Sequence, residues 1–194
     1  ETIGDMTYNK NFTLELELGF EVSAAQAIKI ITREDLLILI QNVIRQTWLE
    51  EGEVGDYKFR TRIRKTAVEY PYTVDMGADK YEFTTKYSKN DEKAAAQDNM
   101  ELNAVITQEE YEKLKEIYKA ADKEEVVKIR TFFREPLDAV SIYTLDTYPN
   151  EEGDRARIEI EFVNKEEMDR WKAPDWFKEL IGSKDAGKAG KAGE

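Results

Sequence analysis

In YKFRTRIRK, residues 57–65, Lys58, Arg60, Arg62 and Arg64 fall on one side of an extended chain, and Phe59 and Ile63 on the other. Successive side chains of a strand point to opposite faces, so this stretch reads as a strand with an apolar face and a basic face. The same rhythm recurs along the chain. In LELELGF, residues 14–20, leucines alternate with Glu15 and Glu17. In RIEIEF, Glu159 and Glu161 lie opposite Ile158, Ile160 and Phe162. In VVKIRTFFR, Lys128 and Arg130 lie opposite Val127 and Ile129, and in YEFTTKYS, Lys86 lies with Thr84 and Glu82. Glu101 shares a face with Asn99 and Asn103, and Asp146 with Thr144. This alternation predicts strands near 12–20, 57–70, 80–88, 99–106, 126–134, 140–148 and 155–163.

Four stretches carry a helical pattern instead. After the first strand and a polar bend, TREDLLILIQNVIRQTWLEE has Leu36, Leu39, Ile40, Val43 and Ile44 at helical spacing, with Thr32 and Asp35 resembling a helix start. TQEEYEKLKEIYKAA is opened by Thr107, with Tyr111, Leu114 and Tyr118 on one core-facing stripe. NKEEMDRWK is opened by Asn164, and PDWFKEL has Pro174 at its first turn. Trp48, Trp171 and Trp176 fall on these helical segments and read as packing anchors. Strands and helices do not alternate regularly, so the fold class is α+β with a mainly antiparallel sheet able to close on itself. One domain over residues 1–182 is expected, followed by a disordered Gly/Ala/Lys tail at 183–194. Gly182, Gly187 and Lys188 imitate a phosphate-binding loop, but Ala189 follows where Ser or Thr belongs.

Charge on a strand face usually means a face turned to water. Here the signs are sorted by strand. Glu15 and Glu17 sit roughly 7 Å apart on one face, a repulsion of about 2 kcal/mol at an effective dielectric near 20. The row Arg60, Arg62 and Arg64 carries the same cost with the opposite sign. Rows of like charge call for offsetting partners. A pair of acids suits a hard divalent cation, and Arg and Lys rows suit phosphate oxygens.

Composition narrows the chemistry. The chain has no Cys and no His, which excludes disulfides, thiolate nucleophiles, imidazole bases and the usual zinc sites. Any metal is then an oxygen-bound hard cation, Mg²⁺, Mn²⁺ or Ca²⁺. A net charge of −12 argues against a coat for nucleic acid or for an anionic membrane. The longest apolar run, Leu36 to Ile40, falls far short of the roughly 20 residues that span a bilayer. No signal peptide is visible, and a cytoplasmic setting is expected.

Taken in order, ELELG at 15–19, RTRIR at 60–64, TTK at 84–86, KIR at 128–130, LDTY around Asp146, IEIEF at 158–162 and APDWFKELIG at 173–182 resemble the CYTH family, the triphosphate tunnel metalloenzymes. The resemblance implies a closed eight-stranded antiparallel β-barrel with helices outside and a polar lumen. It implies a triphosphate or nucleotide as small-molecule partner, and Mg²⁺ or Mn²⁺ as cofactor. Carried over by position, Glu15, Glu17, Glu101, Asp146, Glu159 and Glu161 would serve the metal, and Arg60, Arg62, Arg64, Lys86, Lys128 and Arg130 would grip phosphates. Glu15, Glu17 and Lys86 would be catalytic. Dimers occur in the family, so a homodimer is compatible. The family's ExExK lysine falls on Gly19, and an Arg and an acid it carries near Glu101 fall on Asn99 and Asn103. Three readings stay open: a metal-dependent triphosphatase, a binding protein on the same scaffold with little or no turnover, and a class IV-type adenylate cyclase.

Overall fold

The computed structural model describes residues 11–14, 16–70, 79–90, 99–138, 141–150 and 153–182. Glu15 and the tail at 183–194 lie outside the described residues. The strands are β1 (Asn11–Leu14), β2 (Glu17–Val22), β3 (Leu37–Val54), β4 (Tyr57–Tyr70), β5 (Lys80–Lys89), β6 (Met100–Ile106), β7 (Glu125–Arg134), β8 (Tyr143–Thr147) and β9 (Ala156–Glu161). The helices are α1 (Ala24–Ile31), α2 (Gln108–Ile117), α3 (Lys165–Arg170) and α4 (Asp175–Ile181). This is an α+β chain. Every strand read from alternation is present, the first as the two segments β1 and β2.

The helix expected from Thr32 through the LLILI run is instead β3, the longest strand at 18 residues. A run of aliphatic residues satisfies both periods, so spacing alone does not separate helix from strand. Ile38, Ile40, Val43 and Ile44 are β-branched and stiff at χ1, which favours the pleated state. The polar bend before it is the helix α1. Ser23 Oγ accepts from the Gln26 backbone N–H at 3.1 Å, and the Ser23 N–H donates to Gln26 Oε1 at 2.8 Å, closing a reciprocal cap. Ala27 and Ile30 of α1 are buried. Helices α2 and α3 start where expected, capped by Thr107 and Asn164. Pro174 stands one position earlier than expected, as the residue preceding α4.

The chain divides into two compact units, each with its own core. Described residues within 1–14, 46–65 and 80–125 form the first, with strand order β1-β6-β5-β4-β3. Leu49, Ile63, Tyr81, Tyr111 and Ala120 fill its core, so Tyr111 of α2 packs as its stripe predicts. Described residues within 15–45, 66–79 and 126–194 form the second, with strand order β3-β7-β8-β9-β2. Its core gathers Phe20, Ile30, Phe133, Tyr143, Leu145, Ile158, Ile160, Trp176 and Phe177. Trp171 and Trp176 are packing anchors there, 5.8 Å from Phe20 and 5.5 Å from Phe133 respectively.

Candidate functional site

The second unit places its charges by strand register. In β2 and β9, Glu17 faces Glu161, Gly19 faces Glu159 and Glu21 faces Arg157. In β9 and β8, Glu159 faces Thr144 and Arg157 faces Asp146. Arg130 of β7 faces Asp146. Because side chains alternate, all of these share the face opposite Phe20, Ile158, Ile160 and Leu145. The hydrophobic residues of these strands therefore turn into the core and leave one polar face behind.

The centre of that face is Asp146, with 1% of its surface exposed. Lys128 Nζ donates to Asp146 Oδ2 at 2.5 Å. The Arg130 fork closes on both Asp146 oxygens, Nε to Oδ1 and Nη2 to Oδ2, each at 2.7 Å. Arg130 Nη2 also donates to Glu159 Oε2 at 2.7 Å. The other Glu159 oxygen, Oε1, accepts from Arg157 Nε at 2.9 Å, and Arg157 Nη1 donates to Glu21 at 3.0 Å. Burial alone would push the Asp146 carboxyl up, but the Arg130 fork and Lys128 hold it far below the usual carboxylate range. Glu159 is lowered in the same way, burial being outweighed by Arg130, Lys128 and Arg157. Arg130 stays charged, since Asp146, Glu159 and Glu161 outweigh its own desolvation.

The first unit carries a second cluster. Lys86 faces Glu101 across β5 and β6, and its Nζ lies 3.2 Å from the Glu101 carboxylate. Arg62, almost fully buried, reaches the same carboxylate at 3.7 Å. The Arg60 and Arg62 guanidinium groups lie 4.1 and 5.5 Å from the centre of the Trp48 ring. Trp48 is thus a strand residue under two cations, not a helical anchor. Arg64 Nη2 donates to Gln46 at 3.2 Å. Next along β5, Glu82 accepts from Asn103 Nδ2 at 2.7 Å and pairs with Lys80 at 2.8 Å. Thr84 Oγ1 donates to the Asn103 oxygen at 2.6 Å. The carboxyl of Glu82 is lowered, with burial overcome by Lys80, Asn103 and Arg64.

These depressed carboxyls set a pH dependence. Asp146, Glu159 and Glu82 bind protons more readily in the unfolded chain than in the folded one, so stability is fully present above about pH 5 and falls as pH drops below it. Urea titrations between pH 7 and pH 3 are expected to show a midpoint that decreases steadily through the carboxylate range. A flat profile would mean that the pairs contribute nothing net.

The expected phosphate-gripping residues therefore fall into two groups, Arg60, Arg62, Arg64 and Lys86 in the first unit and Lys128 and Arg130 in the second. Of the expected metal ligands, Glu101 belongs to the first group, and Glu17, Asp146, Glu159 and Glu161 to the second. Among the described residues no three carboxylates gather as a metal cage. Sequence reading placed Glu82 and Thr144 on these faces without giving them a role, and passed over Arg157. Alternation places Arg157 with Glu159 and Glu161, a signal available in RIEIEF itself. Thr144 Oγ1 is buried on the polar face opposite Glu159 and makes no hydrogen bond among the described residues. A buried hydroxyl without a partner is costly unless something else supplies one.

Glu17 and Glu161, directly opposite across the ladder, are carboxylate oxygen donors of the kind a hard cation takes. Asp146 and Glu159 already give their oxygens to Lys and Arg.

No protein-family model and no curated protein matches the sequence. Solved structures do. The PH1819 protein of Pyrococcus horikoshii OT3 matches at 20% identity over 88% of this chain and 90% of its own, with a TM-score of 0.52. The PH1012 protein of the same organism matches at 16% identity over 88% and 93%, with a TM-score of 0.51. A weaker likeness, TM-score 0.42 at 16% identity over 84% and 86%, is to the inorganic triphosphatase NE1496. The chain shares its fold with the two Pyrococcus proteins.

Proposed function

We propose that this protein binds a triphosphate together with Mg²⁺ or Mn²⁺ on the polar faces of its strands and hydrolyses it to shorter phosphates. The observation that carries the reading is the buried Lys128–Asp146–Arg130–Glu159 network. Charges taken out of water cost several kcal/mol each unless well paired, and well-packed apolar residues would stabilise as much or more. A fold that keeps such a network is using it, and two cations in a water-poor setting are suited to a polyanion.

In this reading Glu17 and Glu161, with Glu15, hold the metal. When bound, the metal would neutralise phosphate charge and lower the pKa of its water. Lys128 and Arg130 bind phosphate oxygens and stabilise the charge that builds up as the phosphoanhydride bond breaks. Asp146 and Glu159 keep those cations aimed. The Thr144 hydroxyl supplies a further donor. Arg62 and Lys86, steadied by Glu101, and Arg60 and Arg64 grip phosphates in the first unit. A second reading, binding without turnover, is favoured by one observation: both oxygens of Asp146 and of Glu159 are held by cations and are not offered to a metal.

The test is phosphate release from tripolyphosphate, ATP and thiamine triphosphate with Mg²⁺, Mn²⁺ or EDTA, on wild type and Glu17→Gln/Glu161→Gln. Metal-dependent release that drops about 10²-fold or more in the double variant is expected. Calorimetric binding without release would select the second reading. Neither release nor binding would return these faces to ordinary solvent.

A further inference from the structure

Gly19 lies on the polar face of β2, directly opposite Glu159, and it is buried. Its backbone does not require glycine, since the positive-φ glycines among the described residues are Gly55, Gly153 and Gly182. What glycine leaves here is space for a side chain from the neighbouring strand. A Cβ at position 19 would lie 2.0 Å from Arg157 Nη2 and 2.6 Å from Arg157 Cζ. The guanidinium of Arg157 occupies the room that a side chain of residue 19 would take, between Glu17 and Glu21 on the same face.

Two carboxylates seat that guanidinium. Its Nε donates to Glu159 Oε1 at 2.9 Å and its Nη1 to Glu21 Oε1 at 3.0 Å. The second Glu159 oxygen accepts from Arg130 Nη2 at 2.7 Å. Glu159 thus holds two arginines side by side, one on each oxygen. The two ends of Arg157 differ. Glu159 is mostly buried, whereas the Glu21 side chain is 56% exposed. An exposed pair is worth little, so a phosphate oxygen replaces Glu21 at small cost while Glu159 keeps its hold. Arg157 itself retains 16% of its side-chain exposure.

We infer that Arg157 is a phosphate-gripping residue of this site, paired with Arg130 through Glu159 and given its room by Gly19. This rests on the proposed triphosphate binding and deepens it by naming a grip that its own strand conceals. Arginine suits the role because its planar fork bonds Glu159 with one N–H and leaves others directed at a tetrahedral polyanion.

A double-mutant cycle tests it. Tripolyphosphate binding is measured by calorimetry, in EDTA and in Mn²⁺, on wild type, Arg157→Gln, Gly19→Ala and the double variant. Mn²⁺ binding without phosphate and thermal melting are measured on the same samples. Arg157→Gln is expected to weaken tripolyphosphate binding about tenfold or more while leaving Mn²⁺ affinity within about twofold. Gly19→Ala is expected to weaken it too, because the new methyl displaces the guanidinium. The double variant is expected to bind no worse than Arg157→Gln, since alanine acts only through the arginine. Near wild-type affinity in Arg157→Gln overturns the inference, as does a Gly19→Ala penalty that persists in full without the arginine. Wild type that binds no tripolyphosphate in either buffer overturns the proposed function and this inference with it. If Arg157→Gln unfolds, Gly19→Ala carries the test, because alanine fits a strand backbone, and wild-type affinity there overturns the inference.

Discussion

Arg130→Ala is expected to cost about 3–5 kcal/mol of folding stability and to abolish tripolyphosphate binding. The substitution strips Asp146, which is 1% exposed, of a fork of two hydrogen bonds, and takes one more from Glu159. Lys128 alone then faces a buried carboxylate through a single 2.5 Å bond. Leaving a charge buried and under-compensated is among the costliest single changes a fold can suffer. A domain of this kind has about 5–15 kcal/mol in total, so urea denaturation would show a large fall in midpoint at unchanged slope. Arg130→Lys is the informative companion. It keeps the charge and loses the fork, so its stability should lie between the other two. An alanine variant within about 1 kcal/mol of wild type would show that water or rearrangement compensates Asp146, and the case for a retained functional network would fall.

The second large effect lies on the apolar side of the same strands. Phe177→Ala is expected to cost about 3–5 kcal/mol. Phe177 has no exposed surface and meets Phe20 edge-on at a ring separation of 4.8 Å, with Trp171 at 5.7 Å and Trp176 at 5.6 Å. Removing the ring leaves a cavity where α4 packs on β2, and rigid aromatic neighbours cannot collapse into it. Phe20 follows Gly19 in β2, so the same contact steadies the strand that presents Glu17 and Gly19 on its other face. Phe177→Leu, which fills most of the volume, should lose about 1–2 kcal/mol. Equal losses for Leu and Ala in chemical denaturation would assign the contribution to ring geometry rather than to filled space.

The two variants probe opposite faces of one set of strands, and that division was legible early. Alternation in RIEIEF, VVKIRTFFR and YKFRTRIRK names the strands, and it names which residues turn toward the core. Capping chemistry at Thr107 and Asn164 marks two helix starts for the same reason, since each signal lies within four neighbouring residues. The LLILI run failed because five consecutive apolar residues have no polar neighbour to mark a period. Helix α1 was missed because its reciprocal cap uses Ser23 and Gln26, and short polar stretches read equally well as a bend.

Local pattern therefore sufficed for the strands, their faces and the sign of the charge on each, because side-chain direction in a strand depends only on position along it. It could not reveal which charge meets which. Arg157 meets Gly19, Glu21 and Glu159, Asn103 ties Glu82 to Thr84, and Arg60 lies over Trp48 only through antiparallel register and strand order. Those pairings join residues up to 138 positions apart, as between Gly19 and Arg157. Burial then gives them their energetic weight, since a carboxylate that is cheap in water is costly when it is as enclosed as Asp146 unless a cation stands against it.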